Sequence, residues 1–206
     1  MTTLKLDQNI PPTQSYNEIH LKALGLTPSA ISEGTPEGPF LGNNFHENAP
    51  LRAKITGPHE PGKVLVIKGR VWANDSREPL PHTKMDIWQA NADGLYGVED
   101  QHEFINRARV YSDQDGYYEF ETIHPGPYQV EVSGSVFWRA PHIHFRVRCP
   151  EYERLVTQLF FAGDPYHETD LFLIPSLVIQ LSQKERYGKL YEEGIFDIVL
   201  REIDSH

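Results

Sequence analysis

The sequence predicts a mainly β fold, a sandwich or a barrel, entered through a short N-terminal arm. Three observations carry this expectation. From Lys63 onward the chain is a succession of short runs rich in Val, Ile, Tyr and Phe. Gly, Pro, Asn and Asp punctuate those runs as turn formers. The first fifty residues lack this texture and hold Pro11, Pro12, a short helical pattern over residues 16–24 and a loop beginning at Thr35.

Taken in order, residues 1–50 are expected to form an arm, its last part (35–50) bordering a pocket, and residues 51–206 the domain. The β-rich runs then follow as KVLVIKGRVW (63–72), TKMDIWQAN (83–91), RARVYS (107–112), GYYEFETI (116–123) and PYQVEV (127–132). The remaining four are HIHFRVRC (142–149), RLVTQLFF (154–161), LFLIPSLVIQL (171–181) and FDIVLREI (196–203). In the first run both alternating sets, Val64, Val66 and Lys68 against Leu65, Ile67 and Gly69, are largely apolar. That pattern predicts a strand buried on both faces.

Composition narrows the function classes. With 39% hydrophobic and 23% charged residues, 16 Pro and 15 Gly, the 206-residue chain has a globular, loop-rich composition. A net charge of -10 argues against a nucleic-acid partner, because binding by phosphate neutralisation needs clustered Lys and Arg. The single cysteine, Cys149, allows no internal disulfide and fits a reducing compartment. No apolar leader pattern and no run of about 18 apolar residues is present, so no membrane association and a cytoplasmic location are expected.

The chemistry-bearing candidates begin with His142 and His144. Residues two apart on a strand share a face, with Cα atoms roughly 7 Å apart, so both imidazoles can turn toward one ion. Strand histidines satisfied by hydrogen bonds are the plainer alternative. A carboxylate completing a ferrous site is not presented locally, since Glu151 lies seven residues after His144.

Six segments in fixed order then point to a family. They are GRVWA from Gly69, MDIWQANADGLY from Met85 to Tyr96, DGYYEF from Asp115, PGPY ending at Tyr128, WRAPHIH from Trp138 to His144, and Thr157-Gln158 followed by GDPY ending at Tyr166. Together they resemble the successive signatures of intradiol ring-cleavage dioxygenases, the protocatechuate 3,4- and catechol 1,2-dioxygenase type. The resemblance runs from about residue 35 to the FDIVL strand.

What the resemblance implies is specific. It implies a β-sandwich of two mixed sheets, and one non-haem Fe(III) per chain held by Tyr96, Tyr128, His142 and His144. Two phenolates are hard anionic donors suited to ferric iron, and a bound cation makes phenolate accessible to a tyrosine that is neutral in water. It implies O2-dependent opening of a catechol-type ring between its hydroxylated carbons, giving a muconate-type diacid. In that chemistry Tyr128 takes a substrate proton, Arg139 stabilises charge developing on the ring, and Gln158 lines the site. Trp88 is placed behind the metal ligands, with Asp86 and Asn91 in the same signature. The family commonly reads Arg-Pro-Ala-His where this chain has Arg139-Ala140-Pro141-His142, which moves the fixed φ of proline by one residue.

His124 and His102 match no ligand position and read as rim or hydrogen-bonding residues; Tyr166 reads as part of a turn. Related chains are oligomeric, so a homo-oligomer is expected. Protocatechuate, catechol, hydroxyquinol and other substituted catechols all fit the sequence. Two rival readings are a noncatalytic transthyretin-like β-sandwich binding module and a ferrous cupin-type oxygenase.

Overall fold

The computed structural model describes residues 31–37, 52–57, 59–96 and 106–203. The helical pattern at 16–24, most of the 35–50 loop and His102 lie outside the described residues. In chain order the strands are β1 (Arg52–Lys54), β2 (Val64–Ala73), β3 (Lys84–Gln89), β4 (Arg107–Tyr111), β5 (Tyr117–Ile123), β6 (Tyr128–Val132) and β7 (Ser135–Arg139). They continue with β8 (His142–Arg148), β9 (Leu155–Phe161), β10 (Val178–Ile179), β11 (Leu181–Arg186), β12 (Lys189–Ile195) and β13 (Ile198–Leu200). No helix among the described residues is long and apolar enough to cross a membrane.

One sheet runs β1-β5-β2-β12-β11, with β13 also paired to β2; the other runs β10-β9-β8-β3-β4; β6 and β7 form a separate hairpin. Both larger sheets are mixed: β2 pairs antiparallel with β5 but parallel with β12, and β9 pairs antiparallel with β8 but parallel with β10. The two-sheet architecture implied by the family resemblance is therefore the one observed.

The core lies between these sheets. Leu65 and Ile67 of β2, with Tyr118 and Phe120 of β5, share one buried cluster with Met85 and Ile87 of β3 and with Phe145 of β8. Phe145 is its aromatic centre, its ring 6.3 Å from Tyr118, 6.0 Å from Phe120 and 5.2 Å from Phe196. Each such side chain contributes about 1.5–3 kcal/mol through burial.

Gly69, inside β2, stands opposite the break between β12 and β13. There the Phe196 amide donates to the Lys68 carbonyl at 2.9 Å, and the Arg70 amide donates to the Asp197 carboxylate at 2.6 Å. A Cβ at position 69 would stand 1.9 Å from the Phe196 carbonyl oxygen, so only glycine permits this approach.

Three expectations need correction. The first half of β2 is not buried on both faces: Leu65, Ile67 and Gly69 are buried, but Val64 is exposed and Val66 and Lys68 are half-buried. The alternate face is apolar in sequence without being covered, apart from Val71–Ala73, where β13 joins. The run 171–181 is mostly loop and a short 3-10 turn at Pro175–Leu177, because Pro175 cannot donate to a ladder; only Val178–Ile179 pairs with β9. Strands β1, β7, β11 and β12 fall outside the nine predicted runs. The β11–β12 hairpin is polar and largely exposed, and it turns through Tyr187 and Gly188 at φ 53° and 72°. Tyr-Gly is a weak signal for such a turn, which Asn-Gly would have announced.

Candidate metal centre

Strand alternation places the site. In β8, Ile143, Phe145 and Val147 enter the core, so His142 and His144 point from the opposite face of the same sheet. Both are nonetheless 2% exposed or less. Across the sheet His144 is flanked by Trp88 of β3 and Gln158 of β9. The Trp88 indole stacks on the His144 ring at 4.7 Å and 4°, which fixes the plane of that imidazole.

Two loops bring in the tyrosines. Asn91 organises the first: its side-chain oxygen accepts from the amides of Asp93 at 3.0 Å and Leu95 at 2.9 Å, while its carbonyl accepts from Gly94 and Gly126. Tyr96 ends this turn, and Tyr128 opens β6 immediately after the second loop, opposite Arg139 in β7. The loops nearly touch at their glycines. A Cβ on Gly94 (φ 78°) would lie 2.1 Å from the Pro127 carbonyl oxygen, and one on Gly126 2.2 Å from that of Ala92. The glycines of the DGLY and PGPY signatures thus let two tyrosine-bearing turns pack backbone to backbone.

Four donor atoms converge. Tyr96 Oη lies 3.1 Å from His144 Nε2, Tyr128 Oη lies 3.2 Å from His142 Nε2, and the two Nε2 atoms are 3.1 Å apart. His142 Nδ1 sits 2.6 Å from the Ala140 carbonyl, an acceptor that places the proton on Nδ1 and leaves Nε2 with its lone pair outward. Two phenol oxygens and two imidazole nitrogens so crowded, in a buried place, form a hard and borderline donor set that fits a trivalent or divalent first-row cation. Among the described residues no group of three or more His, Cys, Asp and Glu converges in this way.

Electrostatics within the protein keep these donors neutral. Burial pushes His142 down to about 3, with the Arg139 charge adding to the effect, and burial lowers His144 well below the ordinary imidazole value. Burial raises Tyr96 well above the usual phenol range, helped by Tyr128, and raises Tyr128 against the opposing pull of Arg139. Neutral imidazoles are ready to ligate, whereas the phenols need a cation to lose their protons.

Arg139 is buried and aimed. Its Nε donates to both oxygens of Asp170 at 2.9 and 3.0 Å, its Nη2 donates to Gln158 Oε1 at 2.6 Å, and its Cζ lies 4.7 Å from the Phe172 ring centroid and 5.9 Å from that of Tyr128. The displaced Pro141 is compatible with this aim, and Arg139 and Gln158 form one unit beside His142 and His144. A cleft of about 590 Å³ opens beside the phenols, with Leu95, Pro127, Val130 and Trp138 in its wall. A groove of similar size between residues 31–35 and β9 shares no residue with the donor cluster.

The other sequence candidates fall outside the cluster. His124 Nδ1 is 3.0 Å from the Pro125 carbonyl, and its ring packs on Phe161. Tyr166 lies in a 3-10 turn capped by Asp164 and packs against Trp138. Glu151 occupies a turn at φ 69° after β8. Asp86 holds Arg109 at 2.6 Å, Arg148 at 2.7 Å and Arg146 at 2.8 Å; burial alone raises its pKa, but the guanidiniums outweigh that and hold it below the usual range. Asp170 escapes the sequence reading altogether. It stands 31 residues after Arg139, and no spacing rule links the two.

A family profile described as Dioxygenase matches residues 37–202. The chain belongs to the intradiol dioxygenase family. A chlorocatechol 1,2-dioxygenase of Rhodococcus opacus is 30% identical to this family member over 191 residues, covering 80% of the chain and 70% of the relative. The protocatechuate 3,4-dioxygenase beta chain of Burkholderia cepacia is 38% identical over 162 residues, covering 70% and 67%. The solved structure of catechol 1,2-dioxygenase from Acinetobacter sp. ADP1 superposes with a TM-score of 0.72 at 25% identity, covering 93% of this chain and 69% of that one. The chain spans between 55% and 70% of the length of the curated relatives it matches.

Proposed function

We propose that this protein is a non-haem ferric dioxygenase that opens a catechol-type ring between its two hydroxylated carbons and yields a muconate-type diacid. The convergence of Tyr96 Oη, Tyr128 Oη, His142 Nε2 and His144 Nε2 carries the reading. The relatives named above act, by their names, on chlorocatechol, protocatechuate and catechol, which share the ortho-diol. That shared group sets the substrate class.

Tyr96, Tyr128, His142 and His144 would hold one Fe(III). When bound, the ion supplies Lewis acidity for a chelating diol and a route for electron density from the ring toward O2. The protein's share is positioning and proton handling. Trp88 and the Ala140 carbonyl orient the two imidazoles. Tyr128, at the mouth of the hairpin and the less buried of the two phenols, would be a phenolate beside the bound ion and would take one of the diol's two protons at Oη, the other leaving to solvent. Arg139, held by Asp170 and Gln158, presents its guanidinium where negative charge develops on the ring. Leu95, Pro127, Val130 and Trp138 give the cleft an apolar wall against which an aromatic ring can rest. A ferrous carboxylate centre is a poorer fit, because this donor set contributes two phenols.

The test uses the purified protein. One iron per chain, an intense red-brown colour, and conversion of a catechol panel under isotopically labelled O2 to diacids carrying both labels are expected. A colourless protein that opens the ring with ferrous iron, or one that binds catechols without consuming O2, would overturn the proposal.

A further inference from the structure

Asp170 is firmly built into the site although no sequence motif announces it. Its carboxylate accepts from Arg139 Nε through both oxygens, from the Ala140 amide at 2.9 Å through Oδ2, and from the Phe172 amide at 2.9 Å through Oδ1. The Arg139 and Asp170 side chains are 7% and 0% exposed. Nη2 is committed to Gln158, so among the described residues Nη1 is the guanidinium nitrogen with no hydrogen bond.

We propose that Asp170 is the positioning residue that aims Arg139, fixing the guanidinium so that Nη1 faces the reacting ring; this rests on the function proposed above. The physical reason is orientation. A guanidinium hangs on a flexible stem, and its planar fork becomes a directional donor only when part of it is held. Asp170 takes Nε, Gln158 takes Nη2, and Phe172 stacks on the face, so the remaining nitrogen is determined by elimination. A donor already in place when charge develops needs no reorganisation during reaction. Because Asp170 also binds the Ala140 amide, it locks the corner between β7 and β8 at which Arg139 sits.

The experiment is a double-mutant cycle in the iron-loaded enzyme. Asp170→Asn keeps the shape and removes the charge, and it is expected to lower kcat about 10- to 100-fold with KM changed less than about threefold. Iron content should stay as in wild type and the visible band should persist, because Asp170 makes no hydrogen bond to any of the four donors. In an Arg139→Ala background the same substitution should cost less than about twofold, since its effect passes through the arginine. A second readout uses the metal-free protein: solvent exchange of the Arg139 Nε–H, followed by NMR, should accelerate at least about tenfold on Asp170→Asn.

Should the Asn variant fail to fold, Asp170→Glu replaces it in the cycle, keeping the charge one methylene out of place, with a smaller loss of the same kind expected. A kcat within about twofold of wild type, an undiminished loss in the Arg139→Ala background, or a lost visible band would each overturn the inference. A wild-type protein that opens no catechol ring ends the underlying reading instead, an outcome recognised before any variant is compared.

Discussion

Replacing Gly94 by alanine tests whether the two tyrosine-bearing loops depend on one close backbone approach. The added Cβ would lie 2.1 Å from the Pro127 carbonyl oxygen, against a practical floor of 3.0 Å, so the loops must part by about 0.9 Å. The residue also sits at φ 78°, where a Cβ costs about 1–2 kcal/mol. Overpacking against backbone, which cannot rotate away, adds about 1–3 kcal/mol, for a combined loss of about 2–5 kcal/mol. The displacement falls between Tyr96 and Tyr128, close in sequence to both. A separation of that size at a catalytic constellation is expected to lower turnover about 100-fold. Urea unfolding reads the first quantity; iron content, the visible band and steady-state turnover read the second. A Gly94→Ala protein that keeps one iron per chain, wild-type colour and stability within about 1 kcal/mol would refute the claim that these glycines set the spacing of the phenols.

Two further outcomes follow. Tyr128→Phe should fold with a loss of no more than about 1.5 kcal/mol, since the hydroxyl stands 3.2 Å from His142 Nε2, at the long end of hydrogen-bond range; its visible band should change and catechol binding should slow, and unchanged pre-steady-state binding rejects the proton-accepting role. Asp86→Asn leaves Arg109, Arg146 and Arg148 without their shared carboxylate and should cost about 3–5 kcal/mol near pH 7. Because the folded-state pKa of Asp86 lies below the ordinary 3.8, its charge stabilises the fold fully above 3.8, and that stability is lost as pH falls through the folded value. The gap between wild type and variant in urea unfolding should therefore narrow below about pH 3.8, and a gap independent of pH contradicts the ion-pair assignment.

How much of this was legible follows from where each constraint resides. The four candidate donors were assigned through the family resemblance, and its motifs are short because the surroundings of each residue are local: Tyr96 follows an Asn91-centred turn that includes Gly94, Tyr128 follows the glycine of PGPY, and the two histidines share a face by strand alternation. Each leaves a short signature. Asp170 leaves none, because its partner is 31 residues away and a lone Asp in a loop has many possible uses. The double role of Asp86 was hidden likewise; Arg109, Arg146 and Arg148 come from two other strands and meet it only when β4 and β8 flank β3. The missed β11–β12 hairpin shows the converse limit. Its strands pair through backbone while exposing Lys184, Glu185, Lys189 and Leu190, so no hydrophobic period betrays them.

Strand β8 joins stability to chemistry in one alternation. Ile143, Phe145 and Val147 fill the space between the sheets, while His142, His144 and Arg146 stand on the other face with Trp88, Gln158 and Asp86. A slip of one residue against β3 would turn both histidines and an arginine into the apolar core and carry Phe145 into the site. Burial of three side chains at about 1.5–3 kcal/mol each opposes that slip without any help from a metal. The orientation of the imidazoles is thus set by the hydrophobic register of β8. By the same reasoning the phenols, carried on turns, depend on glycine clearance where the histidines depend on the core, and perturbing either support should disturb a different half of the centre.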